Sequence, residues 1–155
     1  MAYQIVARTL ADQPTLVMRG KADAEHLGSW LAAAYRTLGD HAAATGSRFS
    51  GPPYATYRAL DTELGELEIE AGFPVQTPGT GNGTVAAALL PGGLAATTWH
   101  IGPYESLACA HEAIDTWIAA RGGHLDGRCW EVYYSDPFSE PDSARWRTEV
   151  VKLYG

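Results

Sequence analysis

Cysteine is nearly absent: Cys109 and Cys129 are the only two among 155 residues. So sparse a pair builds no disulfide framework, and both are expected as buried thiols in a reducing compartment. Basic residues are scarce as well. Eleven Lys and Arg stand against 18 Asp and Glu, for a formal net charge of −7, and no basic cluster is visible. A phosphate backbone would meet repulsion over most of such a surface. Direct nucleic-acid binding is therefore not expected, whereas organic cations would be attracted. No apolar run approaches the roughly 20 residues of a membrane span. Met1-Ala2-Tyr3-Gln4-Ile5 lacks the basic and apolar stretches of a secretory signal. The expected location is cytoplasmic, with no membrane contact.

Several catalytic signatures are also missing. His111-Glu112-Ala113-Ile114-Asp115 opens like a zinc-protease helix, but Asp115 stands where the second His is required. No metal site is expected. Gly79-x-Gly81-x-x-Thr84 lacks the third glycine of a dinucleotide turn. No Gly-x-Ser-x-Gly elbow exists. Cys109 lies off the apolar face of its helix without an evident His partner. No cofactor is implied.

What the chain does have is apolar material, 46% of residues, in regular patterns. Leu27, Trp30, Leu31, Ala34 and Leu38 share one helical face, with Asp23 as N-cap and Gly46 as stop. Leu107, Ala110, Ile114, Trp117, Ile118 and Arg121 share another, ended by Gly122-Gly123. The Arg121 stem is expected along apolar surface. Strands are predicted at Ile5–Leu10, Thr15–Gly20, Tyr54–Leu60, Glu66–Phe73, Thr84–Leu90, Leu94–Ile101, Cys129–Ser135 and Thr148–Tyr154. Turns separate them at Ala11-Asp12-Gln13-Pro14, Asp61-Thr62, Pro91-Gly92-Gly93 and Ser135-Asp136-Pro137. Gly79-Thr80-Gly81-Asn82-Gly83 reads as a flexible surface loop.

The pattern repeats. Gly51-Pro52-Pro53-Tyr54-Ala55-Thr56-Tyr57 follows the first helix, and Gly127-Arg128-Cys129-Trp130-Glu131-Val132-Tyr133 follows the second. Each copy sits in the order strand, helix, strand, strand. One α+β domain over 1–155 is expected, from duplicated strand-helix-strand-strand units with approximate halves 13–75 and 92–155. Its antiparallel sheet would carry both helices on one face, with a ligand cleft between the halves.

Strand alternation puts Glu131, Tyr133 and Ser135 on one face and Trp130, Val132 and Tyr134 on the other. The Val132 face is expected beneath the helix, which would point Glu131 and Tyr133 into the cleft. By the repeat, Ala55 and Tyr57 hold the matching positions. Burying Glu131 unpaired would cost several kcal/mol, so a cationic guest would be welcome there. Two alternatives remain open: a water-facing Glu131, or one paired with Arg145 or Arg147. With 5 Trp and 8 Tyr, an aromatic wall is available. Trp30 and Trp117 are expected in the core. Tyr57, Tyr133, Trp99 and Phe73 lie on strands where either face is open.

At these residues the chain resembles the GyrI-like family, which also supplies effector domains of multidrug-responsive transcription activators. His100-Ile101-Gly102-Pro103-Tyr104-Glu105 is similar to its strand-to-helix signature. Trp130-Glu131-Val132-Tyr133-Tyr134-Ser135-Asp136-Pro137 resembles its aromatic-Glu-x-Tyr-x-x-Asp-Pro strand and turn. Trp146-Arg147-Thr148-Glu149-Val150 resembles its closing strand. Tyr54-Ala55-Thr56-Tyr57 and Leu67 to Val75 resemble its middle hairpin. The likeness covers nearly the whole chain, while Pro52-Pro53 and the Trp before Glu131 set this member apart.

The resemblance implies a pocket with a buried Glu ringed by aromatics. That Glu carries over to Glu131, and the following Tyr to Tyr133. Tyr57 follows through the repeat, Tyr104 through its motif, and Trp99 and Phe73 more loosely; Ala55, matching Glu131 by the repeat, would leave space for a guest. A freestanding domain is expected, binding hydrophobic or aromatic, often cationic, small molecules for sequestration or sensing. The alternative is a hydrolase that opens the cyclopropane of genotoxic natural products. Glu131 would then be general base, and Tyr133 or Tyr57 would donate to the oxygen that gains charge. A gyrase-inhibitor-like protein partner fits the acidic charge, but no exposed motif supports it.

Overall fold

Among the described residues, period-two and period-3.6 hydrophobicity resolve into eight strands and two α-helices. The computed structural model describes residues 3–60, 65–135 and 139–155. In chain order the strands are β1 (Val6–Leu10), β2 (Gln13–Ala22), β3 (Tyr54–Ala59), β4 (Leu67–Pro74), β5 (Ala86–Leu90), β6 (Gly93–Ile101), β7 (Leu125–Tyr133) and β8 (Arg147–Tyr154). The helices are α1 (Leu27–Thr45) and α2 (Leu107–Ala120). The expected turns at Asp61-Thr62 and Asp136-Pro137 lie outside the described residues.

The chain forms two compact units, one of Met1–Ala11 with Pro91–Gly155 and the other of Asp12–Leu90. In the Asp12–Leu90 unit the antiparallel strand order is β3-β4-β2-β5. In the other unit it is β7-β8-β6-β1. The two orders are one pattern used twice: a strand, a helix, a hairpin, and an added edge strand. The edge strands come from unexpected places. β1 precedes β2 in the chain but pairs with β6, and β5 precedes β6 but pairs with β2.

Directly paired residues share a sheet face. In the Asp12–Leu90 unit, Leu16 opposite Phe73 and Met18 opposite Ala71 lie under α1. Leu16, Leu38, Val75 and Val85 form the buried cluster, with Tyr35, Phe49 and Phe73 packed around it. Phe73 stacks on Phe49 at 3.9 Å between centroids. α1 starts one turn after the expected cap. Asp23 accepts the His26 backbone N–H at 2.9 Å and heads that extra turn, while Gly46 ends the helix at φ +73° as expected.

In the other unit, Leu107, Ala110, Ile114 and Ile118 of α2 pack on Ala96 and Val150. The three larger side chains are worth about 1.5–3 kcal/mol each relative to exposure. Arg121 lies 3.8 Å from the centroid of the Trp117 ring. β7 begins four positions before the predicted Cys129 and carries a register shift between Leu125 and Cys129. Gly127, at φ +93°, supplies a backbone state that L side chains avoid.

Two expectations are corrected here. The Gly79–Gly83 segment is pinned rather than flexible. Asn82 Oδ1 accepts the Thr84 and Val85 N–H groups at 3.0 and 2.8 Å, and His41 Nε2–H donates to the Thr80 carbonyl at 2.6 Å. Of the two thiols expected to be buried, Cys109 is exposed and Cys129 half-buried.

Trp30 owes its place to a missing side chain. A Cβ at Gly20 would lie 2.4 Å from Trp30 Cζ2. Gly20→Ala is therefore predicted to cost about 1–3 kcal/mol by overpacking. Gly39→Ala, inside α1 with nothing within 4 Å of its Cβ, should gain about 0.5–1 kcal/mol. Urea unfolding of both variants checks this, and equal stability of Gly20→Ala and the parent would remove the Trp30 contact as what anchors α1.

Candidate functional site

The site is built on the α2-facing side of its sheet. Glu131 pairs with Val150, which packs against α2, so Glu131 and, two residues on, Tyr133 face the helix. This corrects the expected orientation: Val132, opposite Glu149, faces away from α2, and the Glu131 face is the covered one. Alternation was read correctly, but the helix was assigned to the wrong side.

Glu131 is 9% exposed. Its two carboxylate oxygens are held by different donors. The Tyr133 hydroxyl donates to Oε1 at 2.8 Å, and His111 Nε2–H donates to Oε2 at 2.7 Å. A water-facing Glu131 is thus ruled out, and neither expected arginine is its partner. Arg145 sits 3.9 Å from Glu140, and Arg147 lies over the Trp99 ring. As a sequence feature, His111 belongs only to an incomplete zinc motif. One signal pointed to it: Tyr35 precedes Ala55 by the same spacing that separates His111 from Glu131. Tyr35 likewise reaches from α1 to β3, where its hydroxyl donates to the Tyr54 carbonyl at 2.9 Å.

Aromatic rings continue from Tyr133. Tyr104 meets it edge-on at 5.6 Å and lies 4.7 Å from Trp146. Tyr104 is positioned by the turn that leads β6 into α2. Gly102, at φ +141°, donates its N–H to the Trp146 carbonyl at 2.8 Å. His100 Nε2–H donates to the Pro103 carbonyl at 3.0 Å, while the Tyr3 hydroxyl donates to Nδ1 at 2.8 Å. Between His100 and Tyr133, on β8, Thr148 is fully buried and its hydroxyl has no hydrogen-bond partner among the described residues.

The remaining candidates are dispersed. Trp99, opposite Glu149, lies on the face away from α2, against Tyr134 at 4.7 Å. It is not brought to Glu131, which corrects its assignment. Phe73 belongs to the core under α1. Ala55 is fully buried and Tyr57 half-buried, both on the α1-facing side of their own sheet. A cavity of about 430 Å³ lies in the Asp12–Leu90 unit, lined by Lys21, Asp23, His26, Ser29, Trp30 and Glu66 among others. It contains none of the expected site residues. Among its lining residues Asp23 and His26 form an ion pair at 2.6 Å, and the enclosed carboxylate at Glu131 is not one of them.

Two neighbouring groups complete the electrostatics. Lys152, beside Cys129, donates to Asp115 at 2.8 Å. Burial pushes the Cys129 thiol above its ordinary pKa, with Lys152 opposing and Glu131 and Asp115 adding.

The chain matches the GyrI-like small molecule binding domain over residues 3–151. It belongs to that family. Among solved structures, the C-terminal domain of EcmrR superposes with a TM-score of 0.86 at 21% identity, covering 100% of this chain and 99% of that one. In the EcmrR–DNA complex the match covers 99% of this chain but only 58% of the EcmrR chain. A hydrolase from Listeria innocua superposes at 0.69 with 12% identity over 99% of this chain and 93% of its own. SAV2435 bound to tetraphenylphosphonium superposes at 0.62 with 12% identity over 100% and 94%. At such identities these structures speak for the fold alone. No curated protein matches in sequence. Among the described residues of this GyrI-like domain, no helix is long and apolar enough to cross a membrane.

On the face away from α2, Glu149 is 6% exposed. Burial raises its pKa, and Arg8, 3.7 Å away, only partly opposes this. A raised folded-state pKa means that the native state binds the proton more tightly than the unfolded chain does. Stability is then greatest at low pH and is lost as pH rises through the folded value. Glu149→Gln is predicted to stabilise the domain at pH 7, because the amide needs no proton to be buried. That gain should vanish once pH falls below the ordinary carboxylate range. Denaturant melts at pH 7 and pH 4 measure it, and a pH-independent difference would refute the burial argument.

Proposed function

We propose that this GyrI-like domain binds aromatic cations, with Glu131 as the charge partner and Tyr133, Tyr104 and Trp146 as the walls. One observation carries this: a carboxylate held away from solvent, with both oxygens fixed, beside a run of three rings. Such an arrangement suits flat or lipophilic cations, each cation–π contact adding roughly 0.5–2 kcal/mol. The tetraphenylphosphonium bound by SAV2435 is a molecule of this class. The role that follows is sequestration or sensing of such compounds, in the cytoplasm.

A hydrolase reading would need a lone pair of Glu131 directed at water. His111 and Tyr133 each donate to one of its oxygens, which holds the carboxylate in place as a fixed partner for a cation. The Listeria structure named a hydrolase supports the fold, and binding remains the better reading.

Calorimetric titration with tetraphenylphosphonium tests the proposal. Saturable binding is expected, and Glu131→Gln should weaken it about tenfold or more, since it removes one full charge at close range. Unchanged affinity in a folded Glu131→Gln variant would sink the assignment.

A further inference from the structure

His111 sets this site apart from a plain buried carboxylate. It reaches down from α2, is half-buried, and donates to Glu131 at 2.7 Å. The other charged groups around it cancel or are neutral. One turn along α2, Asp115 is paired with Lys152 of β8. From β7, the Cys129 thiol is kept neutral by burial and Tyr133 acts as a phenol donor. From β6, His100 has both ring nitrogens engaged, by Tyr3 and Pro103. Glu105 and Glu112 are exposed on the outer side. The net charge at the site therefore depends on one proton. With a neutral imidazole, the His111–Glu131 pair carries −1. With imidazolium, it carries zero.

We propose that His111 determines which ligand charge this site accepts. Neutral His111 leaves the Glu131 charge available to an aromatic cation. Protonated His111 cancels that charge from within, and the site then holds neutral aromatic molecules better than cations. This rests on the cation-binding reading above and adds to it a selectivity that an arginine or lysine in place of His111 would not give. A permanently charged partner would neutralise Glu131 at every pH, whereas an imidazole can be either neutral or charged.

The test uses two probes of fixed charge and similar shape, tetraphenylphosphonium and neutral triphenylphosphine oxide, titrated calorimetrically between pH 8 and pH 5. Tetraphenylphosphonium affinity is expected to fall about tenfold or more toward pH 5, with triphenylphosphine oxide affinity constant or rising. His111→Gln keeps an N–H donor for Glu131 and has no proton to gain, so its cation affinity should be flat with pH. Nitrogen chemical shifts of the His111 ring should follow the same transition as the wild-type affinity, which a merely structural histidine would not require. His111→Asn serves as a second variant should the glutamine fold poorly. A pH-independent wild type, or a fall that persists in His111→Gln, would overturn the inference. Failure of both probes to bind at any pH would instead overturn the binding proposal beneath it.

Discussion

The constraint behind this site is the cost of placing a carboxylate under a helix. An ionised group taken from water loses several kcal/mol of hydration unless donors replace the water. Glu131 is met by two, one from its own strand and one from the helix above. Both depend on register. Tyr133 reaches Glu131 because residues two apart share a face, and His111 reaches it because α2 lies across that face. A slip of one residue in β7 would turn Trp130 and Val132 under α2 and leave His111 facing apolar surface. The irregularity at Gly127 lies just before this stretch, and regular pairing with β8 runs from Cys129 to Tyr133.

Duplication makes the contrast informative. In the Asp12–Leu90 unit the place of Glu131 is taken by Ala55, fully buried, and that of His111 by Tyr35. There the helix-facing side is an ordinary apolar core with stacked Phe49 and Phe73. In the other unit the same side carries Glu131, His111, Lys152 and Asp115. One backbone pattern thus supports two different interiors. The polar one lies where folding alone gave no reason to put charge, and a residue that burdens a core without serving it is a reasonable mark of function.

Much of the architecture could be read directly from the chain. The strands and helices were legible by period, and the helix ends by Gly46 and Gly122, both in a conformation that only glycine takes easily. What was not legible was the face of β7. Alternation says which residues travel together, but both sets here are apolar and aromatic: Cys129 and Tyr133 on one side, Trp130, Val132 and Tyr134 on the other. Hydrophobicity could not choose between them. The choice is made by α2, through a histidine twenty positions earlier in sequence. Trp99 was misassigned for a related reason, since strand membership says nothing about side until the register with β8 is known. Glu131 and Tyr133 were found because their identities, rather than their surroundings, pointed to chemistry.

The identity of the donor to Glu131 is the last link. An arginine could grip both oxygens in a planar fork and would neutralise the site permanently. A serine or asparagine would satisfy one oxygen and leave the full charge at all times. Histidine does neither. Its Nε2–H satisfies the oxygen in both protonation states, so the geometry need not change when the charge does. The carboxylate stays fixed by Tyr133 and His111 while the site's net charge is set by the imidazole alone. Structure and charge are thereby separated: the hydrogen bonds that hold Glu131 in place are the same whether the pair presents a negative site or a neutral one, and only a ligand that senses that difference has reason to discriminate.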